Sequence, residues 1–294
     1  MKKGEAHEAE GVERLYQIFF LLLLAGLCTN LLHICIFFGS VMNLKTDAGT
    51  SDAFRRQELS GKILEQLEKA EESSGLSKGT LLASWMPIQH FRPHPEAVLT
   101  EESCVERQAV FLKYRSRAYE SLLSLYQAVW DDLVYFPTEA GMAYENSWMF
   151  ERNYGGKRGH EGCDLMPPEN KSGIYPIFSM TDGTVEKAGW LDKGGYRIGI
   201  RSPHGGYFYY AHLSDGSPWI TVGQSVRAGD VIGYMGDTGY GPEGTRGKFD
   251  VHLHLGIYVR TPENPEVSVN PYWILKSLEG HKLKYRHQVC YTIS

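Results

Sequence analysis

The sequence carries no surplus of positive charge. Its 30 Lys and Arg residues are outnumbered by 35 Asp and Glu residues, and the formal net charge at pH 7 is −5. Proteins that bind nucleic acids concentrate Lys and Arg on one face or along one helix, opposite the phosphates. The composition argues against that class of protein, and we expect no nucleic-acid partner.

Cysteine is also scarce. Five cysteines occur in 294 residues, and Cys28 and Cys35 fall inside an apolar segment. The other three, Cys104, Cys163 and Cys290, are odd in number and far apart, unlike the cysteines of a disulfide framework. We expect these three thiols to be free and partly buried; a Cys104–Cys290 disulfide is the alternative.

One segment lacks charged residues altogether. Residues 16–42 contain no Lys, Arg, Asp or Glu, and about 20 apolar residues are enough to cross the ~30 Å hydrocarbon layer of a membrane. A cleaved signal peptide has a shorter apolar core and ends in small residues. We predict a short N-terminal tail over 1–15 and one transmembrane helix over 16–42, with a buried amphitropic helix as the alternative.

The charges that flank this helix do not decide its orientation. Lys and Arg near the ends of a membrane helix favour the cytoplasmic side, but equal numbers lie on the two sides here. We place the C-terminal part outside the cytoplasm because of the chemistry described below. The flanking basic residues are Lys2, Lys3 and Arg14 before the segment and Lys45, Arg55 and Arg56 after it.

The next region, residues 43–135, has the periodicity of helices. Thr100 is a predicted N-cap, with Glu101 and Glu102 in the first helical turn. We predict a helical juxtamembrane region over 43–135, arranged as a hairpin or small bundle. Its long apolar stripe contains Val105, Ala109, Leu112, Tyr119, Leu122, Tyr126, Val129 and Leu133.

Beyond Pro137 glycine becomes frequent and strand patterns replace helical ones. The stretch "FDVHLHLGIY", residues 249–258, alternates apolar with other residues, which is typical of a strand with one buried face. No crossover helices interleave with the strands, so the sheet should be antiparallel. We predict a mainly antiparallel β domain over 136–275, followed by a C-terminal extension over 276–294.

Three segments of this β domain carry candidate metal ligands. "GHEGCD" contributes His160 and Asp164, "YYAHLS" contributes His212, and "HLH" contributes His252 and His254 on one face of a strand. Neutral imidazole and carboxylate suit a catalytic zinc site, where three protein groups leave a fourth position for water. The remaining histidines can accept a proton or stabilise an oxyanion. The segments therefore predict a zinc site for peptide hydrolysis.

In this order, "HEGCD", "YAHLS" and the H-x-H-x-G strand resemble the motifs of the lysostaphin/LytM-type zinc endopeptidases. The stretches "PIFSMTDGTVEKAGW", "VRAGDVIGYMGDTG" and "VNPYWIL" are similar to the same family, so the resemblance covers about residues 136–275. It implies a LytM-like catalytic domain, an open β-barrel or sandwich with a groove over one zinc ion per chain. It also implies that the substrate is bacterial peptidoglycan, cleaved at peptide bonds.

The resemblance further implies a role for each candidate residue. Three match the zinc ligands of the family, and two match the catalytic histidines that do not bind the metal. The expected metal ligands are His160, Asp164 and His254, and the expected catalytic residues are His212 and His252.

Other residues near these motifs allow weaker predictions. Cys163 stands where the family has an aliphatic or Thr residue, and we expect a buried thiol rather than a fourth ligand. Lys157 and Arg158 are candidates to orient substrate carboxylates, with a solvated loop as the alternative. Tyr210 and Tyr240 are candidates to line the groove, with simple packing as the alternative.

Taken together, these features predict a membrane-anchored zinc metalloendopeptidase that hydrolyses stem or cross-bridge peptides of peptidoglycan. We expect a single-pass protein of the bacterial cell membrane with its catalytic domain facing the wall. The alternative is a wall-binding or regulatory module, an activator or scaffold in division or sporulation, with little turnover. A third possibility keeps the metal but acts on a free peptide or secreted protein. The bond cleaved and the oligomeric state stay open.

Overall fold

The computed structural model describes residues 2–153, 156–217 and 219–284. Helices occupy the first 130 residues, and strands dominate after them. The helices are α1 (Lys2–Met42), α2 (Asp52–Arg55), α3 (Gly61–Ser74), α4 (Lys78–Trp85), α5 (Glu101–Trp130) and α6 (Tyr272–Ser277). The strands are β1 (Glu151–Arg152), β2 (Arg158–Gly159), β3 (Cys163–Leu165), β4 (Pro176–Phe178), β5 (Gly183–Leu191), β6 (Gly195–Arg201), β7 (Tyr207–Leu213), β8 (Ser225–Val226), β9 (Val231–Tyr234), β10 (Leu253–Val259) and β11 (Val267–Val269).

Helix α1 contains the uncharged segment and exposes most of it, although Ser40 and Val41 at its end are buried. The most apolar 18-residue stretch between Glu13 and Met42 has a mean hydropathy of 2.2, and none of it is buried. Exposed apolar side chains over this length are typical of a helix that crosses a membrane, and also of a signal sequence. The helix begins at Lys2, so helical structure extends into the segment predicted as a tail.

Local sequence explains the helices that follow. The Ser60 hydroxyl accepts a hydrogen bond from the Ile63 backbone N–H at the start of α3, and Gly75 ends that helix with a φ of 68°. Thr100 caps α5 as predicted, since its hydroxyl accepts from the Ser103 N–H at 3.3 Å. Each of these two helices thus begins at a residue whose side chain satisfies a free N–H group.

Helix α5 corrects the predicted apolar stripe. Val105 and Leu112 are 47% and 44% exposed, whereas their neighbours Cys104 and Phe111 are buried. The backbone of Arg115 leaves the helical conformation, with φ −143° and ψ 37°, so α5 consists of two helical segments with different phases. The prediction is therefore correct for the part of α5 that follows Arg115. Before Arg115, Cys104 and Phe111 are buried in place of Val105 and Leu112, one residue earlier than predicted.

A seven-stranded antiparallel sheet forms the centre of the C-terminal half, which confirms the predicted sheet type. Its strands lie in the order β11-β10-β7-β6-β5-β8, and β3 also pairs with β10. Strands β3 and β11 share one edge of β10: β3 pairs with residues 253–255 and β11 with residues 257–259. The pairs β1–β2 and β4–β9 form two smaller sheets.

The two faces of strand β10 have different roles. Leu253, Leu255 and Ile257 are fully buried in the core. His254, between the first two, points to the opposite face, as strand alternation requires. That face forms the floor of a groove.

The cysteines of the described region are free. Cys104 and Cys163 are buried, as expected, and Cys28 and Cys35 are exposed on α1. Cys290, together with the alternative pairing proposed for it, lies outside the described residues.

Candidate active site

Three predicted ligands converge at the start of β10. Asp164 Oδ1 lies 3.0 Å from His160 Nε2 and 2.9 Å from His254 Nδ1. The two histidine nitrogens are themselves 3.0 Å apart. One nitrogen or oxygen atom from each of the three side chains therefore points to a common centre.

Strand pairing explains why two of these side chains meet. Asp164 in β3 is the direct antiparallel partner of His254 in β10, so both side chains leave the same face of the sheet at neighbouring positions. Gly162 leaves room for the histidine ring, since a Cβ there would lie 2.5 Å from His254 Cε1 and 2.6 Å from the Leu255 carbonyl oxygen. The glycine in "HEGCD" is therefore a steric requirement of the site.

A polar contact orients the third side chain. His160 is only 2% exposed, and its Nδ1 lies 3.1 Å from the Ser147 carbonyl oxygen. Arg152 Nη2 lies 3.2 Å from the same nitrogen, and Nε2 is the nitrogen that faces the common centre. When Nδ1 carries the proton it donates to the carbonyl oxygen, and the Nε2 lone pair is then free to bind a metal ion. On the far side of Asp164, Arg152 Nη2 donates to Oδ2 at 2.5 Å. Oδ2 is thus engaged by Arg152, while Oδ1 faces the histidines.

The other two histidines lie beside this cluster. His212 Nδ1 lies 2.8 Å from the Thr238 carbonyl oxygen, and His252 Nδ1 lies 2.7 Å from that of Asp250. Each Nδ1–H donates to its carbonyl, which leaves each Nε2 free to exchange a proton. The two ring centroids are 4.7 Å apart. His252 Nε2 lies 3.9 Å from Asp164 Oδ1, farther than the equivalent atom of His254.

A β-bulge turns His212 towards the groove. In strand β7 Phe208 and Tyr210 face the core, and simple alternation would send residue 212 there too. The register between β6 and β7 shifts at this point, and His212 adopts a left-handed backbone with φ 61°. Ala211 and His212 therefore both line the groove, and Leu213 returns to the core.

The environment of the site affects the charges of its groups. Burial raises the pKa of Asp164, but hydrogen bonding to His160 and His254 outweighs burial and holds that pKa well below its usual value. Burial lowers the pKa of His212 and of His254. At neutral pH the carboxylate of Asp164 is thus ionised and the imidazoles of His212 and His254 are neutral, the forms that bind metal ions and accept protons.

The three converging atoms fit a tetrahedral metal ion. An ion with bonds of about 2.0–2.1 Å separates its ligand atoms by about 3.3 Å, and these atoms already lie 2.9–3.0 Å apart. Two imidazole nitrogens and one carboxylate oxygen are a ligand set that suits zinc. The cluster opens onto the groove, so a fourth position is accessible to water or substrate.

The groove has a volume of about 730 Å³ and includes residues that sequence reasoning missed. Arg152, Tyr209 and Tyr258 line it without having been predicted. The strand alternation predicted that Phe249 faces the core, but the chain bends at residue 251. The Phe249 ring instead packs in the groove, with its centroid 4.5 Å from that of the His212 ring. Arg152 in β1 is the antiparallel backbone partner of Arg158 in β2. The Gly155-Gly156 pair between them is typical of a turn and could have indicated this pairing from the sequence.

The weaker predictions have mixed outcomes. Arg158 and Tyr240 line the groove, but Tyr210 is fully buried in the core and its hydroxyl accepts from the Met180 N–H. Lys157 is exposed and pairs with Glu151 at 3.5 Å. Cys163 is buried, as expected, and its thiol donates to the Glu145 carbonyl oxygen at 3.3 Å.

The sequence around this site is similar to that of known peptidases. The model of peptidase family M23 matches residues 158–271. The L-Ala–D-Glu endopeptidase of Bacillus subtilis is 40% identical over 146 residues, which are 50% of this chain and 43% of that protein. Lysostaphin of Staphylococcus simulans is 33% identical over 104 residues, 35% of this chain and 19% of that protein. The chain thus spans less than half of these curated relatives.

A solved structure covers more of the chain. It comes from Ruminococcus gnavus and is described under the name glycyl-glycine endopeptidase lytM. It is 40% identical, with a TM-score of 0.71, and the match covers 80% of this chain and 93% of that one. Because the match exceeds the sheet domain in length, it includes part of the helical region as well.

Proposed function

The chain belongs to peptidase family M23, and we propose that it is a membrane-anchored zinc endopeptidase that hydrolyses peptide bonds in peptidoglycan. The observation that carries the proposal is the convergence of His160, Asp164 and His254 in a groove that also holds His212 and His252. The names of its relatives include both L-Ala–D-Glu and glycyl-glycine endopeptidases, so the proposal leaves the bond open.

In this proposal His160 Nε2, Asp164 Oδ1 and His254 Nδ1 hold one zinc ion. A zinc ion bound there polarises a carbonyl group and lowers the pKa of a water molecule towards neutrality. The chain would contribute a rigid ligand set. Strand pairing holds Asp164 against His254, and the contact between His160 Nδ1 and the Ser147 carbonyl oxygen orients the His160 ring.

His212 and His252 would manage the protons of the reaction. Their Nδ1–H groups are engaged by carbonyl oxygens, so their Nε2 atoms are the ones that can face a substrate. A neutral Nε2 accepts a proton from attacking water, and a protonated one donates to a developing oxyanion or a leaving amine. We propose that the two rings share these tasks.

The environment of α1 supports the proposed localisation. Its apolar side chains are exposed over a length that spans a bilayer. We propose that α1 crosses the bacterial cell membrane once and that the peptidase domain lies outside the cytoplasm, where peptidoglycan is found.

The alternative, a wall-binding or regulatory module, has less support. A module that only binds has no physical need for three converging ligands and two histidines with free Nε2 atoms. Such a complete set is expected only where water is activated and protons move.

The experiment incubates purified peptidoglycan with the full chain and measures newly released amino groups. We expect release that a zinc chelator abolishes and added zinc restores. His254→Ala should release none, and His94→Ala, a change in an exposed loop outside the groove, should behave as wild type. Binding to peptidoglycan without release of amino groups would support the module and contradict the proposal.

A further inference from the structure

The acidic residues in the wall of the groove already have cationic partners. Glu266 Oε1 lies 3.0 Å from Lys187 Nζ, and Glu161 Oε1 lies 3.9 Å from Arg55 Nη2. The third acid, Asp164, belongs to the proposed metal site. The negative charges of the groove are therefore compensated.

Two arginines in the same wall have no such partner. Within the described part of the chain, no carboxylate forms an ion pair with Arg158 or Arg197, and Arg158 Nε and Arg197 Nη1 are buried without any hydrogen-bond partner. Buried N–H groups are nearly always satisfied in folded proteins, and those of charged side chains are especially costly to leave free. One nitrogen of each guanidinium group, Arg158 Nε and Arg197 Nη1, therefore has no acceptor among the described residues.

Arg197 lies in the same row of the sheet as the metal cluster. His254 in β10 pairs with Ala211 in β7, and the bulge of β7 sets Ala211 and His212 opposite Arg197 in β6. With strands about 4.8 Å apart, the backbone of Arg197 is about 10 Å from that of His254. Ala211 between them has only a methyl side chain, so the space above it stays open to a substrate.

The two arginines also share one neighbourhood. The charges of both act on the hydroxyl of Tyr209, whose ring lies 6.1 Å from that of His254. Tyr209, Tyr207 and Tyr258 pack together, with ring centroids 6.1–6.5 Å apart. Aromatic rings beside a charged group lower the local dielectric constant, which strengthens its hydrogen bonds.

We propose that Arg158 and Arg197 bind a free carboxylate of the substrate peptide, carried on a residue close to the scissile bond. A planar guanidinium binds a carboxylate through paired N–H···O hydrogen bonds and is the side chain best suited to this task. The inference rests on the proposed function, because it needs a peptide in this groove. It identifies the substrate class as acidic peptides, in preference to uncharged glycine segments.

The test compares two capped peptides that differ in one group. N-acetylated and C-amidated L-Ala-D-Glu-L-Lys carries a single free carboxylate, and L-Ala-D-Gln-L-Lys with the same caps carries none. Calorimetry with the zinc-loaded full chain should show that the acid binds about 10- to 100-fold more tightly, the range of a charge-assisted hydrogen bond. Equal affinities would overturn the proposal.

Variants establish where the carboxylate binds. In Arg158→Gln/Arg197→Gln the preference for the acid should fall to about twofold or less, because glutamine keeps the length of the side chain but not the charge. Arg227→Gln removes a charge from an exposed site outside the groove and should keep the preference. A preference that survives in the double variant places the carboxylate on the zinc ion or another cation and overturns the proposal.

Two further measurements distinguish a missing carboxylate subsite from a missing peptidase activity. Each single variant, Arg158→Gln or Arg197→Gln, should lose part of the preference and serves if the double variant does not fold. Release of amino groups from peptidoglycan is measured in parallel. A wild-type chain that prefers the acid but releases nothing contradicts the proposed function and leaves the carboxylate subsite standing.

Discussion

Substituting His254 or His252 should separate metal binding from proton transfer. His254 Nδ1 lies 2.9 Å from Asp164 Oδ1 and 3.0 Å from His160 Nε2, inside the cluster of ligand atoms. His252 Nε2 lies 3.9 Å from Asp164 Oδ1, and its ring packs against that of His212 instead. His254→Ala therefore removes a proposed ligand, whereas His252→Ala leaves all three proposed ligands in place.

The sizes of the two effects follow from these positions. Loss of a group that only orients a ligand weakens metal binding by about 10- to 100-fold, so loss of the ligand itself should cost more than about 100-fold. Loss of a positioned acid or base costs about 10²- to 10⁴-fold in rate, or about 3–5 kcal/mol of transition-state stabilisation. We expect His254→Ala to lose zinc and activity together. His252→Ala should keep its zinc and lose about 10²- to 10⁴-fold in turnover.

Elemental analysis after dialysis measures zinc per chain, and release of amino groups from peptidoglycan measures turnover. Thermal unfolding of both variants checks that the fold is intact, and His94→Ala controls for the loss of an exposed imidazole. Equal zinc loss in the two variants would refute the distinction between ligand and catalytic residue. Full turnover by His252→Ala would refute its role in proton transfer.

Three further predictions follow from single positions. Gly162→Ala should lose more than about tenfold in zinc affinity, because the new Cβ would collide with His254 and with a backbone carbonyl. Zinc titration measures the affinity, and Gly280→Ala, at a position with open space around it, is the control. His212→Asn should keep fold and zinc but lose about 10²-fold or more in turnover, because asparagine tolerates the left-handed backbone and lacks the imidazole; a melting curve that collapses would contradict this. Cys104 and Cys163 should resist alkylation of the native protein at pH 8, because burial raises their pKa values to about 11 and about 12 and keeps both thiols protonated there. Peptide mapping by mass spectrometry reads the labelling, which should appear only after denaturation or at a pH approaching these values.

Much of the site's geometry could be predicted because two of the proposed metal ligands lie on regular strands. The alternation around His254 predicts which face of the strand its ring leaves, and β10 has that orientation. Asp164 lies in another regular strand, where a direct cross-strand pair brings it to the same place. Period-two patterns are visible in a sequence, so residues that obey them are the easiest to place.

The parts that could not be predicted break those periods. His212 reaches the groove only because one extra residue in β7 reverses the alternation, and no glycine marks the bulge. The prediction that Phe249 faces the core is wrong for a related reason, because β10 begins only at Leu253 and the preceding chain bends. The kink at Arg115 likewise shifts the phase of a helix without a proline at that point. Each irregularity depends on long-range packing, which a local pattern does not report.

The helical region is joined to the part of the chain that orients His160. Arg55, at the end of α2, donates to the carbonyl oxygen and the hydroxyl of Ser268 at 3.0 and 2.9 Å, and its guanidinium lies 5.3 Å from the ring of Trp148. Trp148 follows Ser147, whose carbonyl oxygen lies 3.1 Å from His160 Nδ1. The helical region is therefore more than a spacer between α1 and the sheet, because it packs against the loop that orients one of the proposed metal ligands.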